Sequence, residues 1–124
     1  IKIVLDLHRD AISPSGNQKV KLVDTIDGEK VAQVMLVVGT DQLGLAHDTW
    51  RTNLKFSLML QKNFMNVDKN FARPVNLRSS RFNGHTAPGA VIIEVGSSGN
   101  TFDECLASVK YIAQAVRDTI EQLK

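Results

Sequence analysis

Runs of β-branched and apolar residues mark the predicted strands of this 124-residue chain. Residues 1–8 (IKIVLDLH) and 90–96 (AVIIEVG) are almost continuously apolar, which is typical of strands buried within a sheet. Two further runs, KVKLVDTI and VAQVMLVVG, flank Asp27-Gly28-Glu29. Because Asp-Gly between strand-like runs favours a two-residue turn, this segment predicts a β-hairpin.

Two segments have the periodicity of helices. The first extends from about Asp48 to Asn66, and either Asp48 or Thr49 is expected to cap it. The second begins with Thr101-Phe102-Asp103-Glu104, which has the sequence of a capping box, and runs to the C-terminus. Its apolar stripe consists of Leu106, Val109, Ala113, Val116, Ile120 and Leu123. Strands mixed with two long helices predict a layered α/β fold, in a single domain spanning residues 1–124.

The segment 68–89, DKNFARPVNLRSSRFNGHTAPG, has little periodicity. One short strand is expected near residues 75–78, and the remainder is predicted to be irregular. It is long for an ordinary connection, and long loops in compact domains are often functional. A simple surface connection is the alternative.

Composition and charge exclude only a few classes of function. Hydrophobic content of 43% and charged content of 23% are ordinary for a globular domain. A net charge of +2, from 15 basic and 13 acidic residues, gives no reason to expect nucleic acid as a partner. The single cysteine, Cys105, excludes an internal disulfide and a CxxC metal site. Because the chain opens on Ile1 inside a strand-like run, we expect that an N-terminal portion has been removed.

His8 is the first candidate functional residue. It shares one strand face with Val4 and Asp6, near the carboxyl end of the strand, where ligands bind in open α/β sheets. A metal ligand and a hydrogen-bonded structural histidine are both compatible with this position. The string HRD also begins the protein-kinase catalytic loop, but here the next Asn is Asn17, seven rather than five residues after Asp10. We therefore reject a kinase.

Glu94 repeats this pattern near the end of AVIIEVG, on the face of Ile92. An acidic residue within an apolar strand is costly in free energy to bury, so its presence there suggests a functional role. Apolar neighbours raise a carboxyl pKa, which suits a general base. The alternative is a glutamate that reaches solvent at the strand end.

The other histidines and two arginines are weaker candidates. His47 immediately precedes a helix and is expected to be a surface or capping residue. His85 lies in the long irregular segment and is a candidate for substrate contact. Arg78 and Arg81 flank it and could hold a carboxylate, or could be solvent-facing charges. A catalytic zinc usually has three protein ligands, and only His8 is convincing. The other two are either His47 and His85 or residues of the missing N-terminal part.

The strings VLDLHRDA, MLVVGTDQ, WRTNLKFSLMLQ and LRSSRFNGHTAPGAVIIEVGSSGNT, with the final helix, resemble the C-terminal half of the stage II sporulation protein P family. The resemblance runs in order over nearly the whole chain. It implies a zinc-amidase-like fold, with a mixed central sheet flanked by helices, that lacks its N-terminal part. It implies a peptidoglycan hydrolase of spore engulfment that cleaves the amide between N-acetylmuramic acid and the L-alanine of the stem peptide, and that also acts on peptide cross-links.

The resemblance also implies roles, partners and a location. His8 matches a Zn²⁺ ligand and Glu94 the catalytic base, while Arg81 and His85 lie in a family-like string and are kept as candidate substrate-binding residues. The expected partners are peptidoglycan stem peptides, a stage II sporulation protein D-like lytic transglycosylase, and the missing N-terminal fragment that would carry the remaining zinc ligands. The expected location is the extracytoplasmic face of the mother-cell membrane around the forespore, with a membrane-anchored parent protein.

Two alternatives remain open from the sequence. The chain could be an inactive cell-wall-binding or protein-interaction fragment that lacks a complete zinc site. It could also be an α/β domain without catalytic chemistry, in which replacing Glu94 changes stability alone.

Overall fold

The main sheet is built around its longest strand, β6 (Gly89–Ser97). In the computed structural model, which describes all 124 residues, β6 pairs in parallel with β1 (Ile3–Asp10) and antiparallel with β4 (Val34–Gly39). A short strand, β5 (Asn76–Arg78), pairs in parallel with β4. The sheet order is therefore β1-β6-β4-β5. The predicted layered α/β fold with a mixed sheet is confirmed.

A separate two-stranded hairpin joins β1 to the rest of the sheet. It consists of β2 (Val23–Ile26) and β3 (Glu29–Ala32). Asp27 and Gly28 have φ angles of 52° and 80°, as a two-residue hairpin turn of the I′ type requires at both central positions. The hairpin predicted from Asp-Gly is thus confirmed.

The run VAQVMLVVG, which resembles one strand in the sequence, divides at Gln33. The Gln33 N–H donates to the carbonyl of Leu22, on the hairpin side. Its carbonyl accepts from Gly96, in the main sheet. Gln33 therefore links two sheets, and the strands before and after it belong to different ones.

Two helices cover one face of the main sheet, α1 (Trp50–Val67) and α2 (Phe102–Gln122). Helix α1 begins after Thr49, as expected, but the Thr49 side chain makes no capping hydrogen bond. Helix α2 has the predicted capping box, in which the Glu104 N–H donates to Thr101 Oγ1 at 3.2 Å. The core between sheet and helices includes Leu36, Val38, Val91, Ile93, Phe56, Leu60, Phe64, Phe71, Tyr111, Ile112 and Ala115.

The predicted apolar stripe of α2 lies largely outside this core. Leu106, Val109 and Ile120 are 56%, 48% and 38% exposed. The buried face of α2 is more polar, and consists of Glu104, Ser108, Tyr111, Ile112, Ala115 and Thr119. Its hydroxyl groups are satisfied locally, since Ser108 donates to the carbonyls of Ala32 and Glu104. The periodicity predicted the helix correctly but not which side packs against the sheet.

Buried Glu104 joins the hairpin segment to the start of α2. One carboxylate oxygen lies 2.5 Å from Lys21 Nζ, and the other accepts from the Asn100 side chain and the Thr101 N–H. The hydrogen bond from Lys21, followed by those from Thr101 and Asn100, overcomes the opposing effect of burial and lowers the pKa of Glu104 to about 2.

We expect Glu104→Gln to lower the free energy of unfolding at neutral pH by ~2–3 kcal/mol. Because the folded-state pKa lies below the unfolded-state value, this stabilisation is complete above pH ~4.5 and is lost as pH falls towards ~2. Urea unfolding measured across that range should show a smaller acid dependence in the variant. The control is Glu121→Gln, at the exposed end of α2, which should leave the pH dependence unchanged. Equal acid dependence in Glu104→Gln and the wild type would contradict the prediction.

Candidate functional site

The register of β1 and β6 places His8 and Glu94 side by side. They are direct partners in the parallel pairing of the two strands, and Met35 of β4 is the partner of Glu94 on its other side. All three side chains lie on the face of the sheet opposite the helices, because they alternate with the core residues Leu36 and Ile93. The carboxyl ends of β1 and β6 thus bring the two principal sequence candidates together.

Glu94 is a half-buried carboxylate with one unsatisfied oxygen. Its Oε2 atom is buried and has no hydrogen-bond partner. Burial, and next the Asp10 carboxylate, raise the pKa of Glu94 above its ordinary value, and these effects outweigh the opposing influence of His8 and Arg73. A carboxylate of raised pKa with a free oxygen in a cavity has the properties of a proton acceptor.

His8 is held by a neighbouring carboxylate on its own strand. Its Nε2 atom lies 2.9 Å from Asp6 Oδ1, and both side chains are partly exposed. In the tautomer that carries its proton on Nε2, the ring donates to Asp6 and leaves the lone pair of Nδ1 available. Metal-ligating histidines commonly donate their second nitrogen to a carboxylate in this way. The geometry therefore suits a ligand, although Asp6 was not singled out from the sequence beyond its place on the same face.

A cavity of about 370 Å³ opens in front of this pair. Its lining includes His8, Glu94, Ile92, Arg73 and Arg78. Arg73 donates to Asp10 Oδ2 at 2.8 Å, and this ion pair, which was not predicted from the sequence, forms part of the cavity lining. The pairing of residues 63 positions apart in the chain depends on tertiary structure and leaves no local pattern.

The structure separates Arg81 and His85 from this cavity. Arg81 lines a neighbouring cavity of about 240 Å³ together with Asp6, and its Nη1 donates to the Ala46 carbonyl at 3.2 Å. His85 is exposed in a 3₁₀ turn, Gly84–Thr86, and lines neither cavity. Their roles as substrate-binding residues stay predictions.

His47 is a buried residue, not the surface or capping residue expected from the sequence. It is only 1% exposed, and neither ring nitrogen has a hydrogen-bond partner. Burial, followed by the electrostatic influence of His85 and Arg81, lowers the pKa of His47 below its ordinary value. Gly84 lies directly against it, since a Cβ atom at that position would come within 2.6 Å of His47 Nε2. His47 therefore supports the segment that carries Arg81 and His85.

The donor atoms of this chain fit one zinc ligand but not a complete zinc site. No group of three or more His, Cys, Asp or Glu side chains is close enough to hold a metal ion. A catalytic zinc takes three protein ligands and leaves a position for water. The residues present supply one nitrogen donor, His8, beside the unsatisfied Oε2 atom of Glu94.

The sheet and the site define an α/β domain whose polar groups gather at the carboxyl ends of two adjacent parallel strands. The family model described as Stage II sporulation protein P (SpoIIP) matches residues 1–117. The chain belongs to this family, whose members act in engulfment during sporulation. No curated protein and no solved structure matched the chain. Neither α1 nor α2 combines the length and apolarity needed to cross a membrane.

Proposed function

We propose that this chain carries the base and one metal ligand of a zinc-dependent N-acetylmuramoyl-L-alanine amidase. The observation that carries the proposal is the unsatisfied Glu94 carboxylate, fixed beside His8 by the backbone pairing of two strands. Membership of a sporulation family that acts in engulfment supports peptidoglycan as the substrate class. The same site would also cleave the peptide bonds of the cross-links.

Each residue has a defined part in the reaction. His8, oriented by Asp6, would hold Zn²⁺ through its free nitrogen. When bound, zinc supplies polarisation of the amide carbonyl and a lower pKa for water. Glu94 takes the proton from the attacking water and delivers it to the nitrogen of L-alanine as the C–N bond breaks. The products are a lactyl carboxylate on the glycan and a stem peptide with a free amino terminus.

The ligand set requires residues from outside these 124, and we assign them to the N-terminal part of the family polypeptide. The proposal includes the remaining expectations from the resemblance: stem peptides as substrate, a stage II sporulation protein D-like lytic transglycosylase as partner, and a membrane-anchored parent at the extracytoplasmic face of the mother-cell membrane. The absence of a three-ligand cluster favours one alternative function, in which the chain is an inactive cell-wall-binding or protein-interaction fragment.

Zinc binding tests the proposal most directly. We expect the zinc affinity of a longer family polypeptide that carries this sequence, measured by competition with a chromogenic chelator, to weaken at least ~10-fold in His8→Ala. His85→Ala is the matched control, because His85 is exposed and away from the cavity, and it should bind zinc as the wild type does. In a longer family polypeptide carrying this sequence, the metal content after dialysis should fall in His8→Ala only. Equal zinc binding by wild type and His8→Ala would overturn the role of His8.

A further inference from the structure

The cavity beside Glu94 contains two arginines in different states. Arg73 is engaged by Asp10, so its charge is already neutralised. Arg78 ends β5, is exposed, and has no ion pair or side-chain hydrogen bond in the structure. The cavity therefore carries one guanidinium group, that of Arg78, that forms no ion pair with a protein carboxylate.

Arg78 lies on the same face of the sheet as Glu94, at a distance set by the strand register. Arg78 pairs with Gly39, and Glu94 pairs with Met35, four positions earlier on β4. At ~3.3 Å per residue along a strand and ~4.8 Å between strands, their Cα atoms are about 16 Å apart. The floor between them is apolar, formed by Val37 and Ile92.

We propose that Arg78 is the carboxylate-binding residue of this site and selects acidic peptides on the leaving-group side of the cleaved bond. This inference rests on the proposed amidase function. An arginine guanidinium forms a planar, bidentate pair with a carboxylate, which a lysine does not reproduce. Allowing for the length of the arginine side chain, the bound carboxylate lies two or three extended residues from the bond at Glu94, at ~3.3–3.6 Å per residue.

The other arginines are worse candidates for this role. Arg73 would have to leave Asp10, exposing an unpaired carboxylate next to Glu94. Arg81 lines the neighbouring cavity and donates to a backbone carbonyl. Asn76, two residues before Arg78 and on the same strand face, lines the main cavity and adds an amide that can bind the peptide backbone.

The test is peptide binding, measured without metal by NMR titration of the chain. The probes are N-acetyl-L-alanyl-γ-D-glutamyl-L-lysine and the same peptide with its carboxylates amidated. We expect the wild type to prefer the acidic peptide by about 10- to 100-fold, and Arg78→Gln to lose that preference by binding the acidic peptide more weakly. Arg78→Lys should recover only part of it. The control, Arg51→Gln on the exposed side of α1, should match the wild type.

Three outcomes would overturn the inference: no preference for the acidic peptide in the wild type, an unchanged preference in Arg78→Gln, or equal weakening of both peptides in that variant. Hydrolysis of peptidoglycan is measured separately, in a longer family polypeptide that carries this sequence. A carboxylate preference that depends on Arg78, without any hydrolysis, would refute the amidase proposal and leave Arg78 as a peptide-binding residue. Hydrolysis with no dependence on Arg78 would refute only the inference.

Discussion

Replacing Glu94 with Gln is expected to reduce amide hydrolysis about 10²–10⁴-fold, the usual contribution of a general base. Gln has nearly the same size and hydrogen-bonding reach as Glu, but it cannot take a proton from water. The buried Oε2 atom has no protein partner, so the substitution breaks no hydrogen bond within the fold. The loss should therefore appear in kcat and not in the stability of the protein.

The assay is release of free L-alanine amino termini from purified peptidoglycan by a family polypeptide that carries this sequence. Glu29→Gln is the matched control, because Glu29 is exposed on the hairpin, paired with Lys110, and should leave the rate unchanged. Zinc content should be the same in Glu94→Gln and wild type, and the variant should unfold at the same or a higher temperature, because burial disfavours the ionised carboxylate of Glu94. Wild-type rates in Glu94→Gln would remove Glu94 from the mechanism. If Glu94→Gln changes thermal unfolding but not the rate of hydrolysis, the result would favour the alternative in which the chain is an α/β domain without catalytic chemistry.

The largest expected loss of stability follows Phe71→Ala, at about 3–5 kcal/mol of unfolding free energy. Phe71 is fully buried, and its ring makes edge contacts with Phe64 of α1 and Tyr111 of α2 at centroid distances of 5.7 and 5.8 Å. Its carbonyl also accepts from the Val34 N–H at the start of β4. The ring thus fills the junction of both helices and the sheet, and its removal leaves a cavity that four backbone segments would have to close.

Urea unfolding of wild type and variant checks this value. Phe102→Ala is the control, since Phe102 is 73% exposed at the start of α2, and it should change the unfolding free energy by less than ~1 kcal/mol. A loss in Phe71→Ala no larger than in Phe102→Ala would show that the aromatic junction does not hold the layers together.

The alternation of side chains along a strand explains why part of the candidate site could be predicted from the sequence. His8 and Glu94 each follow apolar neighbours in a period of two, so each could be placed on the face opposite the core before the strands were paired. That these two strands are adjacent, in a register that aligns His8 with Glu94, is a property of the sheet and is not encoded in either strand alone. The Arg73–Asp10 pair and the place of Arg78 in the cavity depend on the same sheet order.

Elsewhere, tertiary contacts overrode the local pattern. Segment 68–89 lacks periodicity, yet Phe71 within it is fully buried. His47 precedes a helix, a position typical of exposed residues, but the Gly84 backbone covers it. Helix α2 buries Ser108 and Thr119 beside Tyr111 and Ile112. The two hydroxyls donate to nearby carbonyls, so the side that packs against the fold is not the most apolar side of the helix. Hydrophobic periodicity detects a helix but assumes that the most apolar side is buried.

The alternation of side chains along β1 also limits how this protein can vary in length. Inserting or deleting one residue before His8 within β1 would turn His8 to the side of Leu5 and Leu7, and would bring an apolar side chain to the face of Glu94. Such a change would remove the candidate ligand without altering any residue of the site. Length variation among homologous chains should therefore be concentrated in the turn-containing segment 11–22 and excluded from β1 and β6.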